Sequence, residues 1–344
     1  MRKYFSKIFS YYKKMIANIF YYTGVTGFIL KKKLANKTLV LTYHRILPFN
    51  IRYRSFSHQA IMVDPANFDM HLHTIKEYFE LTDTSALAYG VDKRKHGSDP
   101  QCLITFDDGW RDNYDYAYPI LKKHDCSAII FVPLNYVSTE QTFWQERMGY
   151  LIWNICEKNT KESIEIIQKY GIEDIVLKNK DTKHAEIMNY VRSLKTKSYK
   201  EIEGMINELL AILSHSDGSA VDMHMTWDQL KELSDNGIEI GSHACSHKIL
   251  TKLTDDEVVE ELNRSKRNIE DNLETEVISI AYPNGDYNGE IGEMANKVGY
   301  KCGFGTEYGY IDKDTDIYNL KRININDVVA DSKATFLATL IGIF

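Results

Sequence analysis

The stretch Cys102-Leu103-Ile104-Thr105-Phe106-Asp107-Asp108-Gly109-Trp110 decides how this chain is read. Its first five residues are apolar or β-branched, which predicts a strand buried on both faces, as in parallel sheets. Two carboxylates and a glycine follow at once, where that strand must end. A carboxylate beside an apolar core is costly unless something partners it. The pair therefore points to a site, with a plain turn or helix cap as the bland alternative.

Similar runs recur on either side: Thr38 to Tyr43, Ser127 to Val132, Ile238 to Ile240, Val277 to Tyr282, Tyr300 to Phe304 and Leu320 to Ile325. Helical patterns separate them. Thr226-Trp227-Asp228-Gln229 and Thr254-Asp255-Asp256-Glu257 fit capping boxes, and Gly237 fits a helix stop. Strand and helix alternate, so the expected class is α/β. With about seven parallel strands, the natural closure is a distorted or incomplete (β/α) barrel. Residues 142–218 break the alternation with successive helical patterns and are expected to form a helical insertion, either a wall over a cleft or a structural appendage. The expected organisation is a basic amphipathic segment over 1–36, a main domain over 37–330 and an apolar C-terminal tail over 331–344.

Three further segments carry chemistry. His243-Ala244-Cys245-Ser246-His247 follows the run Ile238 to Ser242. Two histidines at i and i+4 share one face of a helical turn and can hold one metal ion. Two histidines and one aspartate leave coordination positions open, the pattern of catalytic sites. His44, at the end of the first run, is a candidate general acid; a satisfied core or surface histidine is the alternative. Ala281-Tyr282-Pro283-Asn284-Gly285-Asp286 is a turn whose Asn284 N–H could face a developing oxyanion. His71 and His73 fall on a predicted helix and are read as surface or groove residues, and Cys245 is not expected to be a ligand.

Composition narrows the classes. The 344 residues carry a formal net charge of −6, against nucleic-acid binding. Five cysteines with no CxxC suggest reduced thiols rather than a disulfide framework. The first 33 residues carry Arg2, Lys3, Lys7, Lys13, Lys14, Lys31, Lys32 and Lys33 and no acidic residue. The uncharged stretch from Met15 to Leu30 is short and polar beside the about 20 apolar residues a bilayer core needs. It lacks a small-residue cleavage site. A packed lead-in helix, a surface-bound segment and an anchor all remain open. The expected location is the cytoplasm, with peripheral contact at the inner membrane as one reading.

Taken in order, Thr105-Phe106-Asp107-Asp108-Gly109, then the His243/His247 pair, then Ala281-Tyr282-Pro283-Asn284-Gly285, resembles the polysaccharide deacetylases, carbohydrate esterases of family 4 with a NodB-homology domain. The resemblance spans roughly 39–325 apart from the insertion. It implies a hydrolase that removes N-acetyl groups from an amino-sugar polysaccharide or glycan precursor of the cell envelope. Asp107 would be the base. Asp108, His243 and His247 would hold a divalent metal, zinc first, with nickel, cobalt or iron as alternatives. The segment Tyr43-His44-Arg45-Ile46 resembles the circularly permuted branch that includes poly-N-acetylglucosamine deacetylases, which makes His44 the acid. Accordingly, no Leu-x-His follows Asp286. Two departures stand out: Ala281 and Asn284 occupy places where the family has arginine and tyrosine. Arg322, in Leu320-Lys321-Arg322-Ile323-Asn324-Ile325, is a candidate to supply the missing charge. A deacylase of a lipid-linked sugar and an inactive sugar-binding module are the competing readings.

Overall fold

A computed structural model describes residues 2–90, 100–158, 160–213 and 223–343. Two compact units emerge, one of residues 1–47, 59–138 and 225–344, the other of residues 48–58 and 139–224.

The first unit is built on seven parallel strands: β1 (Thr38–Tyr43), β2 (Gln101–Phe106), β3 (Ile129–Val132), β4 (Glu239–Ser242), β5 (Ser279–Ala281), β6 (Cys302–Phe304) and β7 (Ile323–Asn324). Their order is β7-β1-β2-β3-β4-β5-β6, with a short strand, Glu80–Leu81, added beside the start of β2. All seven runs read from the sequence contain strands: the first keeps its bounds, the run at Cys102 gains Gln101, the run at Ile238 shifts to Glu239–Ser242, and the other four are shortened. The first strand thus lies between the last and the second, with Leu41 opposite Ile323 and Tyr43 opposite Phe106. The chain before β7 returns to β6, where Leu320 N–H donates to Gly303 O at 2.8 Å and Gly305 N–H to Leu320 O at 3.0 Å. The sheet curls into a distorted barrel through that irregular seam.

Alternation along the strands sorts their side chains. Leu39, Leu41, Ile104, Phe106, Ile130 and Val132 join one apolar cluster with helix residues such as Phe68, Leu72, Leu262 and Phe336. Val40, Leu103, Ile129, Phe131, Ala281 and Phe304 form a second cluster, the barrel interior. Continued one step past the strand ends, the inner set leads to His44, Asp107 and His243.

Flanking helices take their ends from their sequence. Both expected capping boxes form, at Thr226 with Gln229 and at Thr254 with Glu257. Residues 2–34 fold as α1 (Arg2–Tyr22) and α2 (Val25–Leu34), with Gly24 at φ 76° between them. The stretch expected as a tail contains a helix, Lys333–Leu340, with Phe336, Leu337 and Leu340 fully buried. One reading is corrected here. His71 is not at the surface but fully buried, donating from Nε2 to Ala330 O at 2.6 Å and stacked on Phe336.

The second unit holds helices Trp144–Glu157, Lys161–Tyr170, Lys180–Ser193 and Tyr199–Leu213 around Met148, Leu151, Ile155, Ile187, Ile206 and Leu209. The end expected for this insertion, near 218, lies outside the described residues. Its other part, 48–58, comes from the stretch after β1. There Phe56 packs on Gly149, where a Cβ would lie 2.2 Å from the ring. Buried Glu146 accepts from Ser55 Oγ at 2.8 Å and Phe56 N–H at 2.7 Å. Nothing in the local pattern of 48–58 reveals that long-range partnership.

Candidate active site

Asp107 and Asp108 both sit at the C-terminal end of β2 but are aimed by different means. Asp107 continues the inward alternation and its N–H donates to Tyr43 O at 3.0 Å, one rung beyond the β1–β2 pairing. Asp108 would by alternation point away. Its backbone instead takes φ 73°, followed by Gly109 at φ 62°. Aspartate tolerates the left-handed region better than most residues. Glycine is required next, because a Cβ there would meet Val132 Cγ1 at 3.2 Å as well as sit at positive φ. The Asp-Asp-Gly run is thus a device that sends two adjacent carboxylates toward one end of the barrel.

Asp108 meets both histidines of the second segment. His243 Nε2 lies 3.4 Å and His247 Nε2 3.2 Å from Asp108 Oδ1. Ligand atoms of these three residues all fall within 4.8 Å of one another. His243 Nδ1 is 2.7 Å from Ala281 O, so Nδ1–H donates there and the Nε2 lone pair faces Asp108. Asp108 Oδ2 is held from the other side by Trp110 Nε1–H at 3.0 Å. Trp110 is capped by the Arg45 guanidinium, 4.2 Å from its ring centroid, and Arg45 Nε donates to buried Asp112 at 2.8 Å.

The two histidines do not lie on a helical turn, as their spacing had suggested. Ala244 and His247 have φ 58° and 56°, and residues 243–247 form an irregular loop after β4. Glu261 pins it, accepting from Cys245 N–H at 2.8 Å, Ser246 N–H at 2.9 Å and Ser246 Oγ at 2.5 Å. Cys245 is buried and its thiol is pushed up to about 12 by burial and then by the Glu261 charge, which leaves it a poor ligand.

Asp107 is gripped by Arg322, Nη1 to Oδ1 and Nη2 to Oδ2, each at 2.8 Å. Arg322 is itself buried and also donates from Nε to Gly305 O at 2.7 Å. The arginine that pairs with Asp107 thus comes from the stretch entering β7. Burial alone would raise the Asp107 carboxyl; the guanidinium overrides it and holds the group below its ordinary value. Burial would likewise raise Asp108, but His243 and His247 keep it well below. Desolvation would lower His243, yet the Asp108 carboxylate raises it.

His44 follows β1, beside Asp107 in the register that pairs Tyr43 with Phe106. Its Nδ1 is buried and has no hydrogen-bond partner among the described residues. Burial lowers its pKa, partly offset by the fields of Asp108 and Asp107. Asn284 stands apart from this cluster in character. It is exposed, at φ 62°, in the turn after β5, with its side chain 3.2 Å from Asp286. Ala281, at the end of the same strand, is the residue that holds His243.

Sequence reading alone left three supports unseen: Trp110, the Arg45–Asp112 pair and Glu261. All act through another residue, and only the tryptophan's place two residues after Asp108 hints at a role.

A parallel barrel with carboxylates and imidazoles gathered at the C-terminal ends of its strands has the site arrangement of a (β/α)-barrel enzyme. The model of the family described as polysaccharide deacetylase matches residues 94–303. The chain belongs to that family, and with it to the deacetylases, hydrolases of carbon–nitrogen bonds in linear amides that act on polysaccharides. It is 25% identical over 305 residues to YxkH of Bacillus subtilis (strain 168), a candidate polysaccharide deacetylase, covering 88% of this chain and 76% of that one. The fold is shared with the Streptococcus pyogenes deacetylase PplD, solved in complex with acetate, at TM-score 0.57 and 21% identity, over 88% of this chain and 98% of that one. It is shared too with a de-N-acetylase from Aggregatibacter actinomycetemcomitans, at TM-score 0.52 and 14% identity, over 88% and 100%.

Proposed function

We propose that this deacetylase is a metal-dependent enzyme that removes N-acetyl groups from an amino-sugar polysaccharide, or a glycan precursor, of the cell envelope. The observation that carries the reading is the division of labour between the two aspartates. Asp107 is bound to an arginine and Asp108 to two imidazoles. The donor set of one carboxylate and two imidazoles suits a divalent ion, zinc first, with nickel, cobalt or iron as alternatives. Asp108, His243 and His247 would hold it, the latter two through Nε2. Such an ion supplies Lewis acidity toward an amide carbonyl and lowers the pKa of water.

Each remaining group has one task in this reading. Asp107, kept ionised by Arg322, accepts the proton of the attacking water; each of its oxygens retains a lone pair beside the arginine bond. The water oxygen joins the acetyl carbon. The Asn284 N–H donates to the carbonyl oxygen as negative charge develops on it. His44 gives a proton to the sugar nitrogen as the C–N bond breaks, so that acetate and a free amino sugar leave. Burial lowers the His44 pKa, which makes its proton easily given up, and the fields of Asp108 and Asp107 only partly offset that. The partner is an N-acetylated glycan. The cytoplasm is the compartment we assign, on the support of five cysteines that are all free and buried.

Acetate release tests this: N-acetylated oligosaccharides and lipid-linked N-acetyl sugars, each with chelator, zinc, nickel, cobalt or iron. Release that needs metal and amide substrate is expected. Equal release with and without chelator, or none from any substrate, would overturn it.

A further inference from the structure

Helix α1 is apolar on two opposite sides. On one side Ala17 is fully buried against Ala334 and Ala338, and Lys14 pairs with Asp331 beside them. At about 100° per residue, the stripe of Tyr11, Met15, Ile19 and Tyr22 lies roughly 160° away from Ala17 around Ile19. Nothing described in the chain covers that stripe. Tyr11 is 70%, Met15 42%, Ile19 51% and Tyr22 81% exposed, and Phe28 of α2 adds another 68% exposed ring. A helix that merely packed on its domain would turn polar residues outward.

We infer that the outer stripe of α1 is an interfacial docking surface for an anionic lipid bilayer. This inference concerns a part of the chain outside the active site and does not depend on the reading of it. Charge selects the occupant. The whole chain is net negative, yet residues 1–37 contain no aspartate or glutamate and carry Lys31 and Lys32, both exposed. Two copies meeting through this stripe would bring like charges together, whereas an anionic surface neutralises them. Tyrosine suits the headgroup level, where a ring has an apolar body and a wet tip. The polar residues near the stripe are already satisfied: Asn18 Nδ2 donates to Lys14 O at 2.8 Å and Thr23 Oγ1 to Ile19 O at 2.7 Å. They therefore cost little to bring into an interface. Among the described residues no helix is long and apolar enough to cross a membrane. Lying in the interface plane is the geometry that remains for such a face.

The full chain should float with phosphatidylcholine vesicles only when they contain phosphatidylglycerol, and less so at high salt. Met15→Glu/Ile19→Glu should lower vesicle partition by about tenfold or more. Its acetate release from a soluble substrate and its thermal midpoint should not move. If that variant melts earlier, Lys31→Gln/Lys32→Gln, which touches only exposed side chains, should still abolish the preference for anionic vesicles. Absence of wild-type capture, or capture that survives both variants, overturns the inference. So does a wild-type dimer that Met15→Glu/Ile19→Glu makes monomeric without vesicle capture, which would assign the stripe to a second copy.

Discussion

Arg322 reaches Asp107 from 215 residues away and matches both carboxylate oxygens at 2.8 Å. Both groups are buried, so breaking the pair leaves an uncompensated charge, at about 3–5 kcal/mol. Arg322→Lys keeps the charge but not the fork, and is not a conservative change here. Either Arg322→Lys or Arg322→Ala should reduce kcat/KM by about 10²-fold or more. The sign of the pH effect follows from the geometry. Arg322 depresses the Asp107 pKa, so its loss lets that pKa rise, and the acid limb of kcat/KM moves to higher pH. A pH–rate profile of Arg322→Ala, which removes the charge, with an unmoved acid limb would argue that Asp107 is not the base.

Metal retention should separate the neighbours. Asp107→Asn is expected to keep the ion and lose turnover, since an amide cannot take the water proton. Asp108→Ala should lose both. Trp110→Phe removes the N–H that holds Asp108 Oδ2 together with part of the buried indole that Arg45 caps, and should weaken metal affinity by about 10-fold. Metal content after dialysis, read beside acetate release, checks all three. Equal metal loss in Asp107→Asn and Asp108→Ala would dissolve the division of roles.

What the sequence disclosed follows from the range of the interactions involved. Strands announce themselves through apolar runs, and Asp107, His44 and His243 could be placed at strand ends because alternation continues past the last rung. The capping boxes at Thr226 and Thr254 are local and were legible for that reason. Backbone turns were not. Asp108 is aimed by a positive φ, and the His243–His247 pair converges through a pinned loop although its spacing fits a helix equally well. Arg322 could be suspected from the vacancy at Ala281, but only the strand order that seats β1 beside β7 brings it to Asp107. The burial of His71 depends on the C-terminal helix, whose residues are as apolar as a free tail would be.

His44 should act on bond cleavage and not on assembly of the site. General acid catalysis is worth typically about 10²–10⁴-fold, and His44→Ala should lower amide turnover by that order with metal content unchanged. An aryl acetate, whose leaving group needs little protonation, should lose far less. A purely structural histidine would instead lower the thermal midpoint and slow amide and ester alike. Comparing the two substrates in one variant decides between these outcomes.

His71 sets a pH limit on stability that is independent of catalysis. It accepts from the Tyr43 hydroxyl at Nδ1, 3.3 Å away, and donates from Nε2 to Ala330 O at 2.6 Å, which defines a neutral tautomer. Burial lowers its pKa to about 4, against small opposing effects from the Ala330 carbonyl and Asp327. Below about pH 6.5 the unfolded chain takes up a proton at this histidine that the folded chain refuses until about pH 4. Its contribution is therefore complete above pH 6.5 and lost progressively as pH falls through that window, by an amount on the order of 3 kcal/mol. His71→Gln keeps hydrogen-bonding capacity without titrating, although it gives up the stacking on Phe336. It should be less stable than the parent at pH 7, by about 1–3 kcal/mol, and the gap should narrow as the pH approaches 5. Denaturant midpoints measured at intervals across that range read the difference directly. Parallel curves would mean that His71 is protonated or solvated in the fold, and that the buried contact with Ala330 is not as described.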